Sequence, residues 1–325
     1  MSERQPVAVK PGRFSIVVPS FQQGAFLERT LRSILDQGDP DVEIIVQDGG
    51  SADQSIEILK RYTDRVRWES KPDEGQTSAI NEGLRKATGE FLCYLNSDDV
   101  LSAGALGRVR DYFIAHATVQ VVYGLADFID EQDRVIAPFP SQDWDYSRLL
   151  QANYICQPAC FWRRAVVERF GLFDEGLHFT MDYEYWLRVG GGVPFHFLQE
   201  KLAAARCHAQ AKTFQQAVAS HRETISVLQR YHSGRIPPRW IIAYARRCGE
   251  NRLREGGPVP WRWTKFAISY WMHLLPLAPK VTQGGAGMLL RKLSPPYPSA
   301  CQKVRDPMGY FKMCLLAEQA DATSG

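Results

Sequence analysis

The sequence predicts an α/β fold with a mostly parallel sheet flanked by helices, followed by a mostly helical extension. Three observations predict it. Short β-branched apolar runs alternate with segments of helical spacing through the first hundred residues. Each of those runs stops on a polar or acidic cluster. Charge then divides the chain: residues 1–215 hold 23 Lys+Arg against 30 Asp+Glu, and residues 216–300 hold 13 against 3. We read residues 1–215 as one domain and 216–325 as a basic, aromatic extension.

The first strand is FSIVVP at 14–19, β-branched and closed by proline. A helix follows at 25–37, where Phe26, Leu27, Leu31, Ile34 and Leu35 recur at helical spacing. VEIIVQDGG at 42–50 is the second strand, and the helix after it takes Ser51 or Asp53 as N-cap. VRWESK at 66–71 is the third strand, TSAINEGLRKA at 77–87 the third helix, and EFLCYL at 90–95 the fourth strand. Beyond this point the pattern loosens. Residues 119–130 read as a strand pair or a strand and loop, and a helix starts near Arg163. MDYEYWLRVGGG at 181–192 is helical, residues 195–208 form a strand ending at His208, and helices run from Thr213 to about Tyr231 and onward from Arg239.

In a parallel sheet, ligands sit outside the carboxyl ends of the strands. Four polar clusters fall there: Pro19-Ser20, Asp48-Gly49-Gly50, Asp73-Glu74-Gly75 and Asn96-Ser97-Asp98-Asp99. Adjacent carboxylates repel and need water, donors or a cation, so the last cluster points to a shared site. The seven cysteines, odd in number and scattered, form neither a disulfide framework nor a zinc pattern, and a reducing cytosol is the simplest setting. The N-terminus has no apolar core of the signal-peptide kind. The apolar run FAISYWMHLLPLAP at 266–279 carries His273 and two prolines and is too short to span a bilayer.

Five motifs occur in order: FSIVVPSFQQGAFLERTLRSIL, VEIIVQDGGSADQSIEIL, KPDEGQTSAINEGLRKATGEFLCYLNSDD, GLFDEGLHFTMDYEYWLR and ARCHAQAKT. Together they resemble family 2 glycosyltransferases of the GT-A fold, over roughly residues 14–213. The resemblance implies hexosyl transfer from a nucleotide-diphosphate sugar (a UDP-, dTDP- or GDP-sugar) to an acceptor hydroxyl, with inversion and with Mn²⁺ or Mg²⁺. It places Pro19, Ser20 and Asp48 at the nucleoside, where a carboxylate accepts from a base N–H of uracil, thymine or guanine. Asp73 lines the donor pocket, Gly75 lets the backbone approach the ligand, and Asn81 and Gly83 belong to the same motif. Asn96-Ser97-Asp98 stands where the family has Asp-x-Asp. Asp98 is then the metal ligand, with Asp99 as alternative or helper, and Asn96 replaces the first aspartate and bonds a ribose hydroxyl. Asp182 is the acceptor base, Met181 replacing its usual acidic neighbour and Glu184 being the nearest competitor. Trp186 is read as a core residue, and Arg188 as a phosphate contact or the partner of an acid. His208 is a third metal ligand or a phosphate donor, and Lys212 contacts diphosphate.

The charge and aromatics of 216–300 suit the surface of an anionic membrane, with Phe266, Tyr270 and Leu274 on one helix face. A saccharide or lipid-linked acceptor fits that reading, in polysaccharide, lipopolysaccharide or glycolipid synthesis. The protein is expected to be cytoplasmic, peripheral on the cytoplasmic face of the membrane. The alternative for this segment is a helical subdomain packed on the body, or a dimer surface. No nucleic-acid-binding module is present in the sequence. Two other readings of the whole chain are a nucleotide-sugar-binding protein with little turnover and a nucleotidyltransferase. The second lacks a basic Gly-rich triphosphate loop near the N-terminus.

Overall fold

The computed structural model describes residues 8–253, 268–270 and 272–273. Packing groups the residues up to Tyr146 with Asn153–Cys207 in one compact unit, and Ser147–Ala152 with the chain from His208 onward in another.

The first unit opens with β1 (Lys10–Ser20), α1 (Leu27–Leu35), β2 (Val42–Asp48), α2 (Ser55–Arg61), β3 (Arg67–Ser70), α3 (Gln76–Lys86) and β4 (Gly89–Tyr94). Each lies where the sequence periodicity puts it. There follow β5 (Val100–Leu101), α4 (Ala105–Ala115), β6 (Val121–Ile129), β7 (Val135–Pro138) and α5 (Tyr146–Leu149). A 3-10 turn at Gln157–Ala159 leads into β8 (Cys160–Arg163), α6 (Arg164–Phe170), α7 (Met181–Gly190) and β9 (Phe195–Arg206).

The strands form one sheet in the order β3-β2-β1-β4-β8-β6-β9-β5, with β7 on β6. β3, β2, β1 and β4 are parallel, β8 runs against both β4 and β6, and β9 is parallel to β6. Residues 14–20 of β1 are all buried, as expected of a central strand covered on both faces. The register sets Ser20 beside Asp48 and Asp48 beside Ser70. α3 lies close over β1 because it carries glycine at the contact: a Cβ on Gly83 would stand 2.4 Å from Val17 Cγ1. Gly83 is thus a packing residue.

Four local expectations change. α2 is preceded by Gln54 as N-cap, and Asp53, one residue earlier, accepts from Ser55 N at 3.0 Å. Residues 121–129 form a single strand. A short strand, β8, precedes the helix expected near Arg163. β9 ends at Arg206, before His208.

The second unit contains α8 (Lys212–Gln215), α9 (Ala217–Tyr231) and α10 (Pro238–Leu253). Its core joins Ile225, Ile236, Ile241, Tyr244, Ala245 and Tyr270. Trp240 Nε1 donates to Gln151 O at 2.8 Å, which fixes the Ser147–Ala152 segment to α10. Tyr270, expected on an interfacial face, is 1% exposed within this core. Phe266 and Leu274 lie outside the described residues. Among the described residues no helix is long and apolar enough to cross a membrane. The described cysteines, Cys93, Cys156, Cys160, Cys207 and Cys248, are free and buried.

Candidate active site

The parallel strands bring Ser20, Asp48, Ser70 and the loop after Tyr94 to one edge of the sheet. Pro19 and Ser20 are buried at the end of β1. Ser20 O accepts from Gly49 N at 2.8 Å, while the buried Ser20 hydroxyl has no hydrogen-bond partner among the described residues. Asp48 is buried, and its carboxylate is already occupied. It accepts from Gly50 N at 3.1 Å, Ser51 N at 2.8 Å, and the hydroxyls of Ser51 and Ser70 at 2.7 Å each. Asp48 therefore builds the Gly49-Gly50-Ser51 turn, with three of these bonds on Oδ1 and only that from the Ser51 hydroxyl on Oδ2.

Asp73 is exposed and accepts from Gly75 N at 2.8 Å. Gly75 has φ +116°, a conformation that favours glycine, and it starts α3. A Cβ on Gly49 would meet Asp73 Oδ2 at 3.1 Å and Phe21 Cδ2 at 3.2 Å. Phe21, 60% exposed just past β1, thus stands beside Asp73 at the rim of this edge. A cleft of about 280 Å³ opens here, lined by Asp48, Lys71, Pro72, Asp73, Glu74 and Glu82 among others. Sequence reading passed over Phe21. Its signal was an aromatic directly after a strand-ending proline and serine.

The loop after β4 separates its two carboxylates. Asp98 is partly exposed, and its carbonyl accepts from Arg206 Nε at 2.7 Å. Asp99 is 5% exposed and turned inward: Oδ1 accepts from Arg206 N at 2.8 Å and Oδ2 from Asn96 Nδ2 at 3.1 Å. Burial first, and then the charge of Asp98, push the Asp99 carboxyl well above the usual carboxylate range. Each oxygen of Asp99 thus takes one hydrogen bond within the fold. Asn96 is also tied into the loop, its carbonyl accepting from Gln76 Nε2 and its amide donating to Asp99 and Gln157, while the carbonyl oxygen keeps a second lone pair.

Among the described residues no group of three or more His, Cys, Asp or Glu is gathered that could hold a metal. Asp98 offers a hard carboxylate oxygen at this edge. That donor set fits a cation such as Mg²⁺ or Mn²⁺ that takes most of its ligands from diphosphate and water. It does not fit a preformed cage.

Asp182 lies in the first turn of α7 and is partly exposed. Its charge and that of Asp99 bear on the same buried groups. The Tyr94 hydroxyl and the Cys156 thiol are pushed up first by burial and then by both carboxylates. Glu184 is committed elsewhere. It is 4% exposed and holds Arg188 in a two-pronged pair, Nε to Oε1 at 3.0 Å and Nη2 to Oε2 at 2.9 Å. Arg188 also donates to Phe170 O, and to Leu172 O at 2.9 Å, so the pair ties α7 to the end of α6. Glu184→Gln is expected to cost about 2–4 kcal/mol of stability, read as a lower melting temperature. An unchanged melting temperature would contradict this account of the pair.

Asn81 clamps α3 to the Phe173–Glu175 segment. It is 1% exposed, donates to Phe173 O at 2.9 Å and Glu175 Oε1 at 2.8 Å, and accepts from Phe173 N at 3.0 Å. Thr77 donates to Leu177 O at 2.6 Å on the same stretch. Both residues of α3 hold the segment that leads into Asp182. Trp186 is fully buried, 5.6 Å from Trp162 between ring centroids, as its reading as a core residue expects. His208 and Lys212 fall in the second unit. His208 is 1% exposed and its carbonyl accepts from Ala211 N, while Lys212 is exposed at the start of α8.

The family model described as "Glycosyl transferase family 2" matches residues 15–170. A "PGL/p-HBAD biosynthesis glycosyltransferase" of Mycobacterium bovis is 31% identical over 180 residues, 54% of this chain and 68% of that protein. The chain belongs to glycosyl transferase family 2. The transferase is also 25% identical over 239 residues, 69% of its length, to an uncharacterized glycosyltransferase of Rickettsia conorii, of which it spans only 38%. Among solved structures, Staphylococcus aureus TarS 1–349 in complex with UDP-GlcNAc aligns with the transferase at a TM-score of 0.56 and 15% identity, covering 83% of this chain and 84% of that one. This likeness establishes the shared glycosyltransferase fold, a mixed α/β sheet with helices on its faces.

Proposed function

We propose that the transferase moves a sugar, with inversion, from a nucleotide-diphosphate sugar to an acceptor hydroxyl. The observation that carries this reading is the placement of Asp98 and Asp182. Asp98 is the carboxylate left partly exposed at the strand edge, and Asp182 opens a separate helix yet acts on the same buried tyrosine as Asp99. Asp98 would hold a divalent cation, which supplies charge neutralisation for the departing diphosphate. Asp182 accepts the proton of the acceptor hydroxyl as that oxygen bonds to the anomeric carbon. The bond from that carbon to the diphosphate oxygen breaks, and its electron pair leaves with the nucleoside diphosphate. Phe21, Ser20 and Asp73 line the rim that would take the nucleoside.

Residues 1–215 are proposed as the catalytic domain and 216–325 as an extension that meets the membrane surface. The net excess of basic residues over 216–300 supports the last point, as does the exposure of Ile268 at 55% and Met272 at 66%. A saccharide or lipid-linked acceptor and a role in envelope polysaccharide or glycolipid synthesis follow from the same reading.

The test is thermal shift with UDP-GlcNAc, UDP-glucose, GDP-mannose and dTDP-glucose, with and without Mn²⁺. UDP-GlcNAc comes first because the TarS structure was solved with it. A donor at about 100 times its dissociation constant adds roughly 2.7 kcal/mol of stability. A shift selective for one nucleotide and enhanced by Mn²⁺ is the expected outcome. No shift with any donor, with or without metal, removes the proposal.

A further inference from the structure

The orientation of each amide beneath the Asp98-Asp99 loop can be read from the groups at its ends. Tyr94 O can only accept, and Gln157 Nε2 meets it at 2.7 Å. Gln157 Oε1 therefore faces Asn96 Nδ2, at 3.2 Å. The same Nδ2 reaches Asp99 Oδ2 at 3.1 Å, which turns Asn96 Oδ1 toward Gln76 Nε2 at 2.7 Å. The other oxygen of Asp99 takes Arg206 N at 2.8 Å. Donors and acceptors alternate along the whole chain of bonds, and no link can be reversed alone.

We propose that Asn96 is a positioning residue, the central member of a one-way hydrogen-bond relay that turns Asp99 into the protein and leaves Asp98 partly exposed. Two acceptors, Gln157 Oε1 and Asp99 Oδ2, converge on its single NH₂ group. An aspartate at position 96 has no donor for either. Asn96→Asp would recreate the two-aspartate pattern expected of the family, yet it sets a carboxylate against both. The amide at position 96 is thus required by this chain's own surroundings, and restoring the acid lowers activity. Gln76 and Gln157 take their importance from the same relay, as residues acting on the loop through Asn96.

The test is a cycle of Asn96→Asp, Asp99→Asn and the swapped pair. In the swap, the amide moved to position 99 donates to the carboxylate moved to position 96, and its carbonyl oxygen still accepts from Arg206 N. Nucleoside-diphosphate release is measured with UDP-GlcNAc, or with whichever of the four donors above turns over, and melting temperature is measured alongside. Asn96→Asp is expected to lose about 10- to 100-fold in rate, as for loss of a charged hydrogen bond, and about 3–6 °C in melting temperature. The swap is expected to regain at least about fivefold in rate and part of the melting loss, Gln157 Oε1 still lacking its donor. Asn96→Asp at or above the wild-type rate, or a swap whose losses simply add, overturns the relay. The activity arm rests on the transferase reading, and the melting arm does not. If wild type releases no nucleotide from any donor, the transferase reading fails and the melting cycle alone decides: non-additive losses support the relay, and additive losses overturn it.

Discussion

Asp182→Asn is expected to leave donor binding intact and to lower transfer by about 10²- to 10⁴-fold, the usual contribution of a positioned general base. The substitution keeps the shape of the side chain and removes only its capacity to take a proton. Glu184 cannot stand in, because its carboxylate is buried and held by Arg188. Donor binding is followed by thermal shift and transfer by nucleoside-diphosphate release in the presence of acceptor. A normal donor shift with lost turnover assigns Asp182 to the chemical step. Turnover within about threefold of wild type would remove Asp182 from that role. The same comparison separates an enzyme from a nucleotide-sugar-binding protein, since a binder has no rate for Asp182→Asn to lower.

The second large effect is expected at Asp98. Asp98→Ala should abolish the Mn²⁺-dependent part of the donor shift and lower kcat/KM by about 10²- to 10³-fold. Its melting temperature without ligand should stay closer to wild type than that of Asp99→Ala, because the main-chain carbonyl of residue 98, which accepts from Arg206 Nε, is kept in the variant. Asp99→Ala should behave in the opposite way. It strands the Arg206 N–H and the Asn96 amide, and the cost falls on stability before any ligand is added. Equal loss of metal dependence in both variants would contradict the division of labour between the two adjacent aspartates.

The parallel half of the sheet was legible because β1, β2 and β4 carry runs of buried apolar residues and its helices carry an apolar stripe. Both patterns are local, and β1 through β4 follow them closely. β8 was not legible. Four residues, Cys160–Arg163, give no period of their own and run straight into α6. α4 went unread although Ala105, Leu106, Val109 and Phe113 keep helical spacing. Within the site, the strand-end rule found the right edge but not the orientation of the side chains. Asp98 and Asp99 are neighbours in sequence, and which of them turns inward depends on Arg206, arriving from β9, and on the amide of Asn96. Gln157 is a single polar residue in an apolar stretch, and Asn81 is one of several polar residues on α3. Their roles depend on partners 61 and 92 residues away, which no local pattern encodes.

That dependence on distant partners also sets an order of events. Asp99 waits for an N–H group 107 residues further along the chain. Until β9 reaches the sheet, the loop holds two adjacent carboxylates without the buried donors that accommodate one of them. β9 pairs with β6 from Val121 to Ile129, and it delivers Arg206 at the end of that pairing. Closures over such separations are the slow part of folding. The last strand to be made thus completes the architecture and the donor edge together, and a nascent chain released before it would hold the early strands but no settled loop for Asp98.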